Sequence, residues 1–451
     1  MKDYLTITPH DPIIARDGRP FGIGQGIRMK SLNWPYPSVL AGSLRTLLGK
    51  LSGDNFEQEG TAEALKKVTV AGPFPLINEQ IFLPAPKDIL IREEGTKREA
   101  FSIRPMKPES GCDCDLPECG LLPAMLPKRI DEEFKPANIP SFWSCDMIAK
   151  WLCNATGDGF DAPPDLEAGK KRSTPCQKPK RTKKDLQKIN FLSSPKEDSR
   201  FHVKIDYSLG SSEDGMLFET IGLDLSQKGR IDGMKLAAMV ETELTTQTPN
   251  EAKELIKKYG RKVSEIDSFG FLGGERRLSH WKASDTAHNG WEIHPELEKA
   301  LSNETKRIRL VLATPAIFDN GWFPGWLKPC DGHLEGKPPG IPDELNLTLI
   351  LVSACTERWK PISGWSLENW GAKNGRNGPK PGPKPIRRLV PSGSVYFFEI
   401  EGNGDAATLA KSLWLKSVCD NDQDRRDGFG LALWGIWDYA IETEKEQKQE
   451  L

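Results

Sequence analysis

Apolar and polar positions along this chain switch between a period of two and a period near three and a half, and the switches mark its elements. Tyr4 to Thr8 is a β-prone run closed by Pro9 and Pro12, which cannot donate to a ladder; Ile13 and Ile14 briefly resume the strand. The next apolar series, Leu40, Leu44, Leu47, Leu48 and Leu51, has helical spacing behind Pro37 at a first helical position, and it leaves Arg45 off the stripe. Pro73 to Ile77 and Ile81 to Ile91 read as extended segments joined by Asn78-Glu79-Gln80. From Arg200 to Tyr207, Phe201, Val203 and Ile205 alternate with His202, Lys204 and Asp206, which predicts a half-buried strand. Its expected partner is Met216 to Leu225, across a turn at Ser211 to Gly215. A helix over Ala252 to Tyr259 and an apolar strand end from Phe269 follow.

A second series of strands starts near Arg307. Ile308 to Ala313, Leu345 to Cys355 and Val395 to Ile400 are strands, Leu409 and Leu413 mark a short helix, and Leu431 to Trp437 closes the series. The loop of Trp322 and Trp326 stands where a first helix would be. The order predicts an α+β chain of two ferredoxin-like, RRM-like domains in tandem, over residues 1–300 and 301–445, with a charged tail at 446–451. Residues 104–198 read as a long loop-rich insertion, since twelve prolines fall in the 91 residues from Pro105 to Pro195; the pattern still allows short helical pieces, for example around Ser141 to Cys153.

Composition narrows the chemistry. The 451 residues carry 62 basic and 64 acidic side chains, a net charge of −2, so attraction to nucleic acid has to come from local patches. No apolar run reaches the length of a membrane span and the N-terminus lacks a signal-peptide core, which points to a cytoplasmic protein with no membrane partner; the odd count of nine cysteines argues for reduced thiols. One basic run, from Lys170 to Lys188, has only Asp185 in opposition; it reads as a solvated segment, or as a peripheral contact along a phosphate backbone. Lys373 to Arg388, with six basic and no acidic residues among prolines and glycines, reads as an extended connector.

Cys112, Cys114 and Cys119 form a C-x-C-x₄-C cluster, with Cys145, Cys153 and Cys176 downstream. Without paired C-x₂-C spacing, free thiols in a loop are the plainer reading, and a structural zinc is the alternative; no catalytic metal and no other cofactor is expected. Gly22, Gly24 and Gly26 are not a dinucleotide fingerprint, because the helix begins more than ten residues later, and no Gly-Lys-Ser/Thr P-loop is present. The loop from Arg16 to Gly26 instead presents two arginines and Phe21 around an Asp17-Gly18 turn.

Those residues carry a resemblance. Arg16 to Gly22 and Pro37 to Arg45 resemble the RAMP superfamily of CRISPR proteins, in particular the third-subunit family of type III-B, or Cmr, effector complexes. Further similar stretches follow in order: Phe82 to Asp88, Phe271 to Arg277, Leu312 to Phe318, Ile362 to Trp365, Pro391 to Tyr396 and Gly428 to Leu431. The resemblance lapses between about Arg104 and Asp198. It implies a non-catalytic scaffold that holds the 5′ repeat-derived handle of CRISPR RNA and meets target RNA only indirectly. Its expected neighbours are the large polymerase-like subunit and the backbone RAMP subunit. The RNA-binding residues so implied are Arg16, Asp17, Gly18, Arg19, Phe21, Gly22, Arg45, Arg276, Arg277, Gly428 and Gly430.

The alternative is a metal-independent CRISPR endoribonuclease, since related RAMP proteins activate a ribose 2′-hydroxyl by acid-base chemistry. His10, His280, His288 and His294 are the candidate groups, although no pair among them has a spacing that demands catalysis.

Overall fold

The structure is a computed structural model that describes residues 2–16, 27–29, 31–58, 60–106, 120–126, 133–166, 189–226, 233–242, 250–301, 305–342, 344–366 and 382–439. It is a mixed α+β chain built on two large antiparallel sheets. The first unit runs β1 (Lys2–Pro9), α1 (Pro37–Leu51), β2 (Thr69–Ile77), β3 (Lys235–Glu241), α2 (Asn250–Ser264), β4 (Asp267–Phe271) and β5 (Leu278–Ser284). The strands lie side by side as β2-β3-β1-β5-β4, and Gln80–Pro84, Phe142–Ser144 and Phe191–Leu192 extend the sheet beyond β2. The second unit runs β6 (Arg307–Leu312), β7 (Leu347–Cys355), β8 (Val395–Gly402), α3 (Ala406–Leu413), α4 (Asp422–Asp427) and β9 (Ala432–Ile436), and its main strands lie in the order β7-β8-β6-β9.

The pleat divides the first sheet between two cores. Leu5 and Ile7 on β1 pair with Ala238 and Leu236 on β3, and this face is buried under α1 and α2 with Trp281. Tyr4 and Thr6 point the other way, beside Met239 and Ala237. There Phe74, Met239 and Trp291 join the core of the second unit, so a single apolar cluster runs across both.

Arg45 departs from the sequence expectation. A residue next to Leu44 on a helix turns about a quarter of the way round, which suggests water if only one domain is considered. The second unit covers that side, and Arg45 is 8% exposed. Leu51, placed on the apolar stripe, is 40% exposed where the helix runs out. The Ile81 to Ile91 segment also divides, since its strand ends at Pro84 and a separate hairpin pairs Ile89–Glu94 with Lys97–Ser102.

The proline-rich insertion contributes more than loops. Helix Cys145–Leu152, capped by Ser144, brings Trp151 into the core, with Trp143 just before it; both are fully buried. A Cβ on Gly435 of β9 would lie 2.7 Å from Leu152 Cβ, so this helix is wedged against the second sheet.

The Lys196–Asp206 strand is not half-buried. It pairs with Ser211–Asp224 in a long hairpin that turns at residues 207–210, and Phe201 is 70% exposed. The alternation is real, but only the root of the hairpin, at Ile221 and Leu223, reaches a core. Among the described residues no helix is long and apolar enough to cross a membrane.

Candidate nucleic-acid interface

The glycine-rich loop is anchored at both ends. Ile13 bridges to Leu223, Ile14 to Gly273, and Arg16 to Ser31. Gly274 N donates to Ile14 O at 2.7 Å, and a Cβ on Gly273 would stand 2.4 Å from the same oxygen, so only glycine admits this approach. On the return, Ile27–Met29 lies parallel to Phe218–Thr220, and Arg28 pairs with Glu219. A hydrogen bond from Ser199, seconded by Arg28, holds the Glu219 carboxyl below its ordinary range. Arg16 is exposed at the start of the loop. Asp17, Gly18, Arg19, Phe21 and Gly22 lie outside the described residues.

The pair Arg276 and Arg277, some 260 positions away in the chain, is brought to the same place by the Ile14 contacts. Leu272 N donates to Arg277 O at 2.9 Å and closes a tight loop, in which Glu275 and Arg276 take φ of 57° and 49°. Left-handed backbone at non-glycine residues costs roughly 1 kcal/mol or more each, and here it presents an exposed Arg276. Arg277 is half-buried, and its Nε has no hydrogen-bond partner among the described residues.

Beside this loop, β4 and β5 carry a row of rings on the sheet face opposite Gly270 and Trp281. Phe269 lies between two imidazoles, with centroids 5.4 Å from His10 and 5.1 Å from His280. His280 Nε2 is 2.7 Å from Asp267 Oδ1. Phe269 is 58% and Phe271 45% exposed, and Lys50 Nζ stands 5.7 Å from the Phe271 centroid. The register explains the arrangement: Phe269 faces His280 across the pair, while Trp281 and Gly270 turn to the opposite side, against Leu47 of α1. Open sheet faces with exposed rings are surfaces on which unpaired bases stack. Phe269 and Phe271 are not among the RNA-binding residues expected from the sequence, although a period-two Phe-Gly-Phe at a strand end was the available signal.

Three expected RNA contacts are engaged elsewhere. Arg45 donates from Nε and Nη2 to Val68 O at 3.2 and 2.7 Å and from Nη2 to Arg426 O at 3.1 Å, and it pairs with Asp427; its fork is spent on joining α1 to α4. Gly428 is the left-handed cap of α4, where a Cβ would meet Val70 O at 2.5 Å. A Cβ on Gly430 would meet Cys419 Sγ at 2.6 Å. At both glycines the side a Cβ would occupy faces protein.

Two of the histidines are likewise structural. His288 is 2% exposed; its Nδ1 accepts from Trp291 Nε1 at 3.3 Å, its Nε2 lies 2.9 Å from Thr6 Oγ1, and burial pushes its pKa below the ordinary value. His294 Nδ1 accepts from Glu296 N at 3.3 Å at the head of helix Pro295–Leu301. Cys112, Cys114, Cys119, Cys176 and the basic run up to Lys188 lie outside the described residues. Cys145 and Cys153, the downstream candidates for a fourth zinc ligand, are in surroundings that push each thiol up to about 11, chiefly through burial. No group of three or more metal-ligating side chains occurs among the described residues.

A cleft of about 1160 Å³ opens between the two units. It draws together several stretches that carry the family resemblance, with Pro37, Pro84 to Lys87, Thr314, Pro315, Pro391 and Ser392 in its lining. Arg28, Trp34 and Lys360 line it too, so it adjoins the return of the glycine-rich loop.

Over residues 5–437 the sequence matches the family of the CRISPR-associated protein Cas_Cmr3. No curated protein matches it. Among solved structures, it is similar to a chain of the type III-B Cmr-beta complex bound to cognate target RNA and AMPPnP, with 12% identity and a TM-score of 0.40 over 87% of this chain and 86% of that one. It is also similar to a chain of the Csm3-Csm4 subcomplex of a type III-A CRISPR-Cas interference complex, with 13% identity and a TM-score of 0.33 over 89% and 94%.

Proposed function

The chain belongs to the Cas_Cmr3 family of CRISPR-associated proteins, RAMP-type subunits of the type III-B Cmr effector, and on that premise we propose that it is a non-catalytic subunit that binds CRISPR RNA. It holds the 5′ repeat-derived handle and bridges the large polymerase-like subunit to the backbone RAMP subunits. The observation that carries this reading is the open face of β4 and β5, where His10, Phe269 and His280 line up beside Arg276 and the anchored stem at Arg16. Rings take unpaired bases and arginines take phosphates. In both sheets the second, third and first strands of the unit lie side by side in that order, β2-β3-β1 and β7-β8-β6, which supports two ferredoxin-like units in tandem.

A metal-independent endoribonuclease remains the second reading, because two imidazoles flank one exposed ring and His280 is paired with a carboxylate. Co-expression with the other effector subunits and a repeat-spacer transcript, followed by purification through this chain and sequencing of the retained RNA, tests the scaffold reading. Handle-containing RNA and the large subunit should be recovered together. Recovery of neither would defeat it.

A further inference from the structure

A small ribbon on the second unit carries basic charge that the proposed interface does not use. Lys360–Ile362 pairs antiparallel with Arg387–Leu389, and the pleat gives the ribbon two sides. Ile362 and Leu389 are buried on the inner side, where Arg387 pairs with Asp424 at 2.7 Å and Lys360 lines the inter-unit cleft. Pro361 and Arg388 stand opposite one another on the outer side, with Trp359 following the same alternation. The Arg388 guanidinium lies 5.3 Å from the Trp359 ring centroid, and Trp359 remains 46% exposed. The described ribbon carries Arg358, Lys360, Lys384, Arg387 and Arg388 against one acidic residue of its own, Glu357, which is taken up by Lys87 at 2.7 Å. Arg358, Lys360 and Arg388 have no carboxylate partner among the described residues.

An exposed tryptophan held by an arginine, within unneutralised basic charge, is suited to a polyanion with flat bases. We propose that this ribbon is a second binding site for single-stranded RNA, with Trp359 and Arg388 on its outer side as the platform for one base, and Lys360, on the cleft side, taking a phosphate where the strand passes over the ribbon's edge. It rests on the RNA-binding reading above and extends it along the cleft, whose lining includes both Arg28 of the loop stem and Lys360. Paired nucleic acid is disfavoured, since its bases are stacked away from such a platform.

The full-length chain, titrated with a fluorescein-labelled single-stranded oligouridylate and followed by anisotropy, tests the site. The double variant Trp359→Ala, Arg388→Ala should bind about tenfold more weakly with an unchanged melting temperature, while Trp359→Phe should stay within about threefold of the wild type. The same oligonucleotide with Arg16→Ala, Arg276→Ala separates the two sites: loss of affinity there, with none in the ribbon variant, overturns the ribbon alone. A wild-type chain that binds no RNA overturns both readings. If the ribbon variant keeps its RNA affinity but drops a protein subunit from the assembled complex, the ribbon is a protein-docking face and the proposal fails.

Discussion

Asp88 and Arg309 stand 221 residues apart in the chain and meet in an ion pair that is fully buried on both sides, Oδ2 to Nη1 2.6 Å. Trp151 Nε1 donates to the other carboxylate oxygen at 2.9 Å, and Arg309 Nη2 donates to the carbonyls of Trp151 and Asn154. One residue thus comes from the first unit, one from the second and one from the insertion helix. Removing either charge leaves the other in the core, so Arg309→Leu or Asp88→Asn should destabilise the chain by about 3 to 5 kcal/mol. Urea unfolding measures it. A loss under about 1 kcal/mol would show that the three segments are held by apolar packing alone.

Arg45 should behave as a clamp. Arg45→Met removes the donors that reach Val68 O, Arg426 O and Asp427, and stability should fall by about 2 kcal/mol or more. RNA affinity of the folded protein should hold. Thermal unfolding and an anisotropy titration of the same preparation separate the two, and a variant of full stability with weak binding would return Arg45 to the interface.

At the proposed interface, Phe269→Ala should weaken RNA binding by about 1 to 3 kcal/mol, the range for one stacked base, and Phe269→Tyr should not. Arg16→Ala with Arg276→Ala should flatten the salt dependence, lowering the slope of log K against log salt by about 0.7 for each phosphate left without its arginine, or about 1.4 for both. An unchanged slope would place these arginines off the RNA.

Binder and nuclease part at the imidazoles. In metal-free buffer the wild type should leave labelled repeat RNA intact, and His10→Ala and His280→Ala should alter binding by no more than the removal of one ring from the stack. Specific cleavage that disappears in either variant while binding persists would promote the endoribonuclease.

His288 gives the fold a pH dependence of known sign. Burial disfavours its imidazolium, so its folded pKa is below that of the unfolded chain, and in the interval between them the unfolded state binds more protons. Stability is therefore complete above about pH 6.5 and declines as pH falls through that value. Unfolding at pH 7.5 and 5.5 should show a larger acid loss for wild type than for His288→Gln. Equal losses would assign the dependence to other groups.

Much of this was legible along the chain, because the local signals were consistent with the final packing. The period of Leu40, Leu44 and Leu48 is that of a helix on any sheet, and the β-branched and apolar runs that became β1, β6, β7 and β8 have few other ways to bury themselves. Even the Asn78-Glu79 turn appears, with both residues left-handed as a tight hairpin requires. What tertiary structure decided were relations between distant segments. No periodicity reveals that a second unit will cover Arg45, that Gly428 must clear Val70 O, or that Phe201 will stand in water instead of against a core. Nor does it reveal that Gly273 will lie on Ile14 and carry Arg276 to the stem of the glycine-rich loop. The physical reason is range: a side chain's spacing along an element depends on neighbours a few residues away, whereas its exposure and its partners depend on which surface, hundreds of residues distant, folds against it.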